Sequence, residues 1–288
     1  MNVNPKFAIL IGIVAISTAS IFVRLSSSSP LVIAAYRMLF ASILMGLLGV
    51  NNLGNIKNLS RREVIILLVS GIALGGHFGT WTASLFFTSI AASTVLTDSS
   101  PIFVTIISWL LLKEKTRLKE FFGIILSLIG VMLIAGSDVS IGAMNNFHGD
   151  LLALLSAVFI SIYLVAGRRL RRILDLASYT FIVYGIASLT LFVAALLMSN
   201  NVMALSIHEL LIFIALALIP SGLGHNSYNY ALKYLKASIV SVATLGEPVG
   251  ASILALLIFK EIPSITTIIG GVIVILGIII TIMYKEGE

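Results

Sequence analysis

The chain contains no cysteine. That excludes disulfide scaffolds, thiolate metal sites and cysteine nucleophiles. Charge is scarce as well. Asp, Glu, Lys and Arg make up 10% of the 288 residues, against about 25% in an average soluble domain. Several enzyme signatures are missing too. There is no Walker-type phosphate loop, so ATP-driven pumping by this chain is not expected. No His-Glu-x-x-His cluster is present to build a zinc hydrolase, and no Gly-x-Ser-x-Gly elbow to build a serine hydrolase. The expectation is therefore no enzyme, no cofactor and no bound metal.

Apolar residues fill the space that charge leaves. They make up 59% of the chain, and the mean hydropathy is +1.11. They come in long blocks, which excludes disorder, collagen and coiled coil. The blocks run at about 7–23, 31–50, 64–86, 90–112, 119–135, 149–167, 178–198, 209–231, 237–259 and 264–284. A membrane-spanning helix needs about 20 such residues, so ten would use roughly 200 and leave no room for a soluble catalytic domain. Barrel strands are about 10 residues long and alternate, which these blocks do not. Lys6 precedes the first block as in a signal peptide, but no small-residue cleavage site follows. We read that block as a retained helix.

The net charge of +6 is better explained by orientation than by a nucleic-acid partner. With the N-terminus in the cytoplasm and ten spans, 15 of the 18 basic residues fall on the cytoplasmic side. They include Arg61 and Arg62, Lys113 to Lys119, the run Arg168 to Arg172, and Lys233 with Lys236. Arg24 and Lys260 fall outside, and Arg37 lies within a span. The "RRLRR" run reads as a solvated loop within reach of lipid headgroups.

An internal repeat divides the chain. Pro101, Lys113-Glu114, Gly123 and Gly130 recur 147 residues later as Pro248, Lys260-Glu261, Gly270 and Gly277. The implied halves are 1–140 and 147–288. Each holds five helices, and five is odd, so the second half should lie upside down. Inverted repeats are a signature of secondary transporters whose sites lie near the midplane.

The segments "SPLVIAAYRMLFASILM", "SSPIFVTIISWLLLKEK", "GDLLALLSAVFISIYLVAGRRLRR" and "LGEPVGASILALLIFKE" resemble the drug/metabolite transporter superfamily, in its EamA-type branch. The resemblance covers nearly the whole chain. It implies an all-α integral membrane fold of ten helices in two inverted EamA-type repeats, with both termini cytoplasmic. It also implies a metabolite carrier of a prokaryotic cell membrane, with export favoured.

An ionisable side chain inside the bilayer costs several kcal/mol and is a functional candidate by default. Three stand out. Arg37 cannot lose its proton and needs an acceptor, from a salt bridge or a substrate carboxylate. Asp98 and Glu247 lie just ahead of Pro101 and Pro248, where proline loosens the helix. They are candidates for proton coupling, for meeting a substrate ammonium, or for structural pairing. His77 and Trp81 share a helix face at i, i+4. In "HNSYNY", His225, Asn226, Asn229 and Tyr230 form a polar stretch too dense to face lipid. Those six are expected to line a cavity with Arg37. Tyr228 lies about 100° around the helix from Asn229, Tyr163 reads as an aromatic wall, and Trp109 as an interface anchor. The remaining acids read as solvated.

These residues point to a secondary transporter of a small polar or amphipathic metabolite, an amino acid first, working as a monomer or homodimer. A sugar-phosphate or nucleotide-sugar exchanger wants more cavity cations than Arg37 supplies. An organic-cation exchanger remains open. A channel or an intramembrane enzyme is the reading from another class.

Overall fold

The computed structural model describes residues 3–49, 59–84, 87–88, 90–136, 147–203, 206–260 and 262–283. Glu261, named above, lies outside them, as do Lys57 and Lys285 among the 15 basic residues counted. Among the described residues the chain is all-helical. The helices are α1 (Pro5–Ile16), α2 (Ala19–Leu25), α3 (Pro30–Gly49), α4 (Arg61–Ser84), α5 (Ile90–Thr97), α6 (Ser100–Leu112) and α7 (Leu118–Gly136). There follow α8 (Phe147–Leu170), α9 (Leu176–Leu197), α10 (Ile207–Leu216), α11 (Asn226–Leu232), α12 (Ala237–Thr244), α13 (Glu247–Phe259) and α14 (Ile265–Ile282). They combine into 10 spans long and apolar enough to cross a membrane. Leu47, Leu48, Leu197 and Ile262 remain exposed on the outside of the bundle, as suits a protein whose solvent there is lipid.

Four spans are broken rather than continuous. The first is interrupted at Ser17–Thr18, the fourth at Asp98–Ser99 and the ninth at Leu245–Gly246. The eighth contains a π-helix over Ala217–His225 around Pro220. Proline removes one donor and crowds the preceding turn, which the wider i→i+5 turn absorbs. The breaks in the fourth and ninth spans match each other. Thr97 and Thr244 end the first pieces, Ser100 and Glu247 begin the second, and both second pieces stop at a left-handed lysine. Those lysines are Lys113 (φ 57°) and Lys260 (φ 60°). Each of these pairs is 147 residues apart.

Two breaks touch. Ser17 Oγ lies 3.4 Å from the Glu247 carbonyl. A Cβ on Gly250 would stand 2.1 Å from that same Oγ, so the kinked first span fits only against glycine here.

Small residues also set a close helix contact between α7 and α14. A Cβ on Gly130 would lie 2.6 Å from the Gly270 carbonyl oxygen, and one on Gly123 2.7 Å from that of Gly277. Between these contacts, Ile124, Val131, Val274 and Ile278 form a separate small core with Val242 and Leu245. The main core lies among α3, α4, α8 and α9, with Tyr163, Tyr179, Tyr184 and Phe213 fully buried in it.

Backbone cannot retreat as a side chain can. Gly130→Val should therefore lower the melting temperature in detergent sharply, in line with the ~1–3 kcal/mol typical of overpacking. At Gly79 an added Cβ meets nothing closer than 3.6 Å, so Gly79→Ala should leave the melting temperature unchanged or raise it. A thermal-shift comparison of the two variants checks both outcomes.

Candidate functional site

Arg37 sits on α3 with only 3% of its surface exposed. Its Nε donates to Ser221 Oγ at 2.8 Å, across to the π-helical segment of the eighth span. Its guanidinium lies over the Phe78 ring, 4.6 Å from the centroid. One terminal nitrogen, Nη2, is buried and finds no acceptor among the described residues.

The other expected groups gather around it. Glu247, at the first turn of α13, attracts Arg37 electrostatically. Asp98, at the opposing break, repels Glu247. Its Oδ2 is buried without a partner among the described residues. Of the two acids, Glu247 is the one whose field reaches Arg37.

His225 is buried, with its ring edge-on to Phe78 at 5.7 Å and to Tyr228 at 6.4 Å. His77 lies beside Phe78 as well, 5.0 Å between ring centroids. Its Nδ1 is 2.9 Å from Ser156 Oγ on α8. Trp81 is one turn further from the cluster. With Phe78, Ile33, Ala34 and Val23 it walls a narrow cleft that reaches Arg37.

Asn226 and Asn229 belong to a hydrogen-bonded chain that leaves the cluster toward the basic end of the bundle. Tyr184 Oη donates to Asn226 Oδ1 at 2.8 Å, and Asn226 Nδ2 donates to Met45 Sδ at 3.0 Å. Asn229 Nδ2 donates to Tyr163 Oη at 2.6 Å. The chain ends on Arg171, whose Nε donates to the Asn229 carbonyl at 3.0 Å.

Tyr230 is not part of this site. Its hydroxyl donates to the Val3 carbonyl at 2.8 Å and its ring packs on Tyr234. One helical turn past Asn226, it has already reached the end of the span. Tyr228 takes the place expected of it. Its ring fills the hollow left by Gly12, and its hydroxyl is buried, unpartnered, and close enough to feel both Glu247 and Asp98.

Phe78, Ser221, Ser156 and Tyr184 carry no signal in the sequence, because aromatic and serine positions look like ordinary packing until neighbours are known. The "RRLRR" run is also not the solvated loop expected. Arg168 and Arg171 are 7% and 3% exposed and donate to carbonyls, while Arg172 remains outside. Likewise Glu120 and Glu209 are buried and bonded rather than solvated.

At the end of the bundle away from the basic loops, a solvent-open cavity of about 420 Å³ is lined by Ser27 to Ser29, Asn200, His208 and Glu209. Glu209 closes the loop after α2. It accepts from Ser27 N at 2.8 Å, from Ser28 Oγ at 2.9 Å, and from Ser26 Oγ.

A buried core of unpartnered polar atoms, reached from broken helices of a ten-span bundle, is the layout of a solute carrier. The EamA-like transporter family matches residues 6–136 and again 147–283. The chain belongs to that family. Its relatives include the uncharacterized transporter YdfC of Bacillus subtilis, 27% identical over 98% of this chain and 91% of that protein. An uncharacterized transporter of Archaeoglobus fulgidus is 24% identical over 96% of this chain and 98% of its own length. Human solute carrier family 35 member G1 is 30% identical over 65% of this chain and 53% of that protein. A crystal structure shares the fold with a TM-score of 0.79 at 21% identity, covering 96% of this chain and 97% of the other. The protein is thus a multi-pass membrane transporter with the EamA-type fold.

The Tyr228 hydroxyl bonds to nothing within the described protein. Tyr228→Phe should therefore leave the melting temperature unchanged or slightly higher, since a buried unmade hydrogen bond costs about 1–3 kcal/mol. Tyr184→Phe, which removes a real bond to Asn226, should lower it. Paired melting curves in detergent test the contrast.

Proposed function

We propose that this protein is a secondary active transporter that carries a small zwitterionic metabolite, an amino acid first, by alternating access. The observation that carries the reading is the charge count at the cluster: Arg37 against Glu247 and Asp98, with Arg37 Nη2 and Asp98 Oδ2 left without partners. Buried polar atoms rarely go unpaired in a native structure. A carboxylate fits the free guanidinium nitrogen, bonding it with charge assistance. With both acids ionised, the empty site holds one negative charge more than Arg37 balances, and a net-neutral zwitterion leaves that excess in place. An ammonium group or a proton fits that place, so the same pair of acids serves cargo recognition or proton coupling. The apolar cleft of Val23, Ile33, Phe78 and Trp81 beside Arg37 supports an amphipathic cargo over a sugar phosphate. The basic loops support a cytoplasmic basic face, and export is favoured by the family resemblance.

An organic cation is the second reading, and the excess of acid is what favours it. The two differ in their need for Arg37. Purified protein in liposomes, given a mixture of labelled amino acids, should show saturable uptake that a proton gradient stimulates. Glu247→Gln with Asp98→Asn should abolish the stimulation and lower transport at least ~10-fold, as losing interactions at a buried charge site implies. Arg37→Gln should abolish amino-acid uptake. If the double variant transports normally at every pH, the coupling role is wrong. Uptake of a quaternary ammonium by Arg37→Gln would favour the organic-cation reading.

A further inference from the structure

The two ends of the bundle are closed by different chemistry. At the basic end, the connection between α6 and α7 is held to later parts of the chain by buried ion pairs. Arg168 Nε donates to Glu114 Oε1 at 2.9 Å, and Lys236 Nζ donates to Glu120 Oε1 at 2.8 Å. Glu120 is 1% exposed. Arg168 Nη1 also holds the end of α11, donating to the carbonyls of Leu232 at 2.9 Å and Lys233 at 3.1 Å. Lys236 Nζ reaches the Lys115 carbonyl at 3.0 Å as well. Five side-chain bonds thus tie residues 114–120, α8 and the segment 232–236 to one another, just past Asn229 on the eighth span.

At the opposite end, among the described residues, the acids accept from hydroxyls, as Asp150 does from Thr88 Oγ1 at 2.6 Å. Glu209 takes serine hydroxyls and one backbone N–H beside the open cavity of about 420 Å³. The 147-residue offset sharpens the contrast. Glu114 and Arg168 correspond to Glu261 and Ile21, and Glu120 and Lys236 to Thr267 and Ser89. Neither corresponding pair is able to form an ion pair, by residue type alone. These two ion pairs therefore have no counterparts at the 147-residue offset.

We infer that Glu114–Arg168 and Glu120–Lys236 form an inner lock that keeps the empty carrier closed at its basic face and makes opening toward the other face its resting preference. The inference rests on the alternating-access reading. Removing one partner of a buried pair strands the other charge, so the closed state loses stability while a solvated open state does not. The balance between the two facings then moves toward opening at the basic face.

The native absence of cysteine makes this directly measurable. Leu164, one turn above Arg168 on the same face of α8 and 2% exposed, reports the inner side. Thr82, in the cleft beside Arg37, reports the outer side. Leu164→Cys and Thr82→Cys are made singly in the otherwise unaltered chain. The full-length proteins, in vesicles of defined orientation, are treated with a charged methanethiosulfonate that does not cross the membrane. The reagent is applied from the basic face for Leu164→Cys and from the other face for Thr82→Cys.

Adding Lys236→Gln or Glu114→Gln should speed modification at Leu164→Cys about tenfold and slow it at Thr82→Cys, the signature of a population shift. Exchanging the charges, Glu120→Lys with Lys236→Glu, should restore slow modification at Leu164→Cys and controls for misfolding. Faster modification at position 164 with no change at position 82 supports the lock but overturns the reciprocal carrier reading. Unchanged modification at position 164, faster modification at both positions, or failure of the charge exchange to restore protection overturns the lock.

Discussion

A guanidinium buried in a bilayer cannot shed its proton, and Arg37 imposes that constraint on everything near it. Its charge must be answered by dipoles, rings and acids supplied by other spans. Ser221 answers with a hydroxyl, Phe78 with a ring face, and Glu247 with an opposite charge. Each comes from a different span, so the position of Arg37 locks the packing of α3, α4, the π-helical segment and α13 at once. The answer is incomplete, because one guanidinium nitrogen keeps no acceptor. That incompleteness separates a site from a core. A purely structural arginine gains nothing from leaving a donor unmatched.

The broken helices follow from the same physics. A backbone break inside hydrocarbon is tolerable only where protein or cavity surrounds it. Here the interruptions at Ser17–Thr18, Asp98–Ser99 and Leu245–Gly246 lie against one another or against the cluster. They also place the first turns of α6 and α13 toward the centre. Freed N–H groups there suit the acids at Asp98 and Glu247, since a helix start favours negative charge. Serine and threonine side chains finish the accounting by turning back on their own helices, as Thr82 does to the Phe78 carbonyl at 2.7 Å.

Much of this was legible in the sequence. Ten spans can be read from hydropathy because lipid demands apolar length, and that demand is local. Arg37, Asp98, Glu247, His77 and His225 were equally visible, because an ionisable residue inside an apolar block stands out without any neighbour. Facing within a polar stretch was harder. Tyr228 and Tyr230 differ by two residues, and only the depth of the span's end separates the buried hydroxyl from the one bonded to Val3. Arg168, Arg171, Glu120 and Glu209 were misread as solvated for a related reason. Residues near helix ends look accessible when counted along the chain, whereas their burial is decided by which other ends converge on them. The partners of the cluster, Phe78 and Ser221 above all, carry no signal of their own and emerge only in three dimensions.

The glycine contact between α7 and α14 has a mechanical meaning. Peptide planes meet there almost without intervening side chains, from Gly123 and Gly130 on one helix to Gly277 and Gly270 on the other. Side chains slide and swap rotamers; bare backbone surfaces in such contact do neither. The two helices therefore behave as one girder, running the depth of the bundle with a member from each half of the chain. Any motion that trades access between faces has to turn about this girder rather than through it. The spans free to swing are those across the molecule, where the interruptions and the unmatched polar atoms lie.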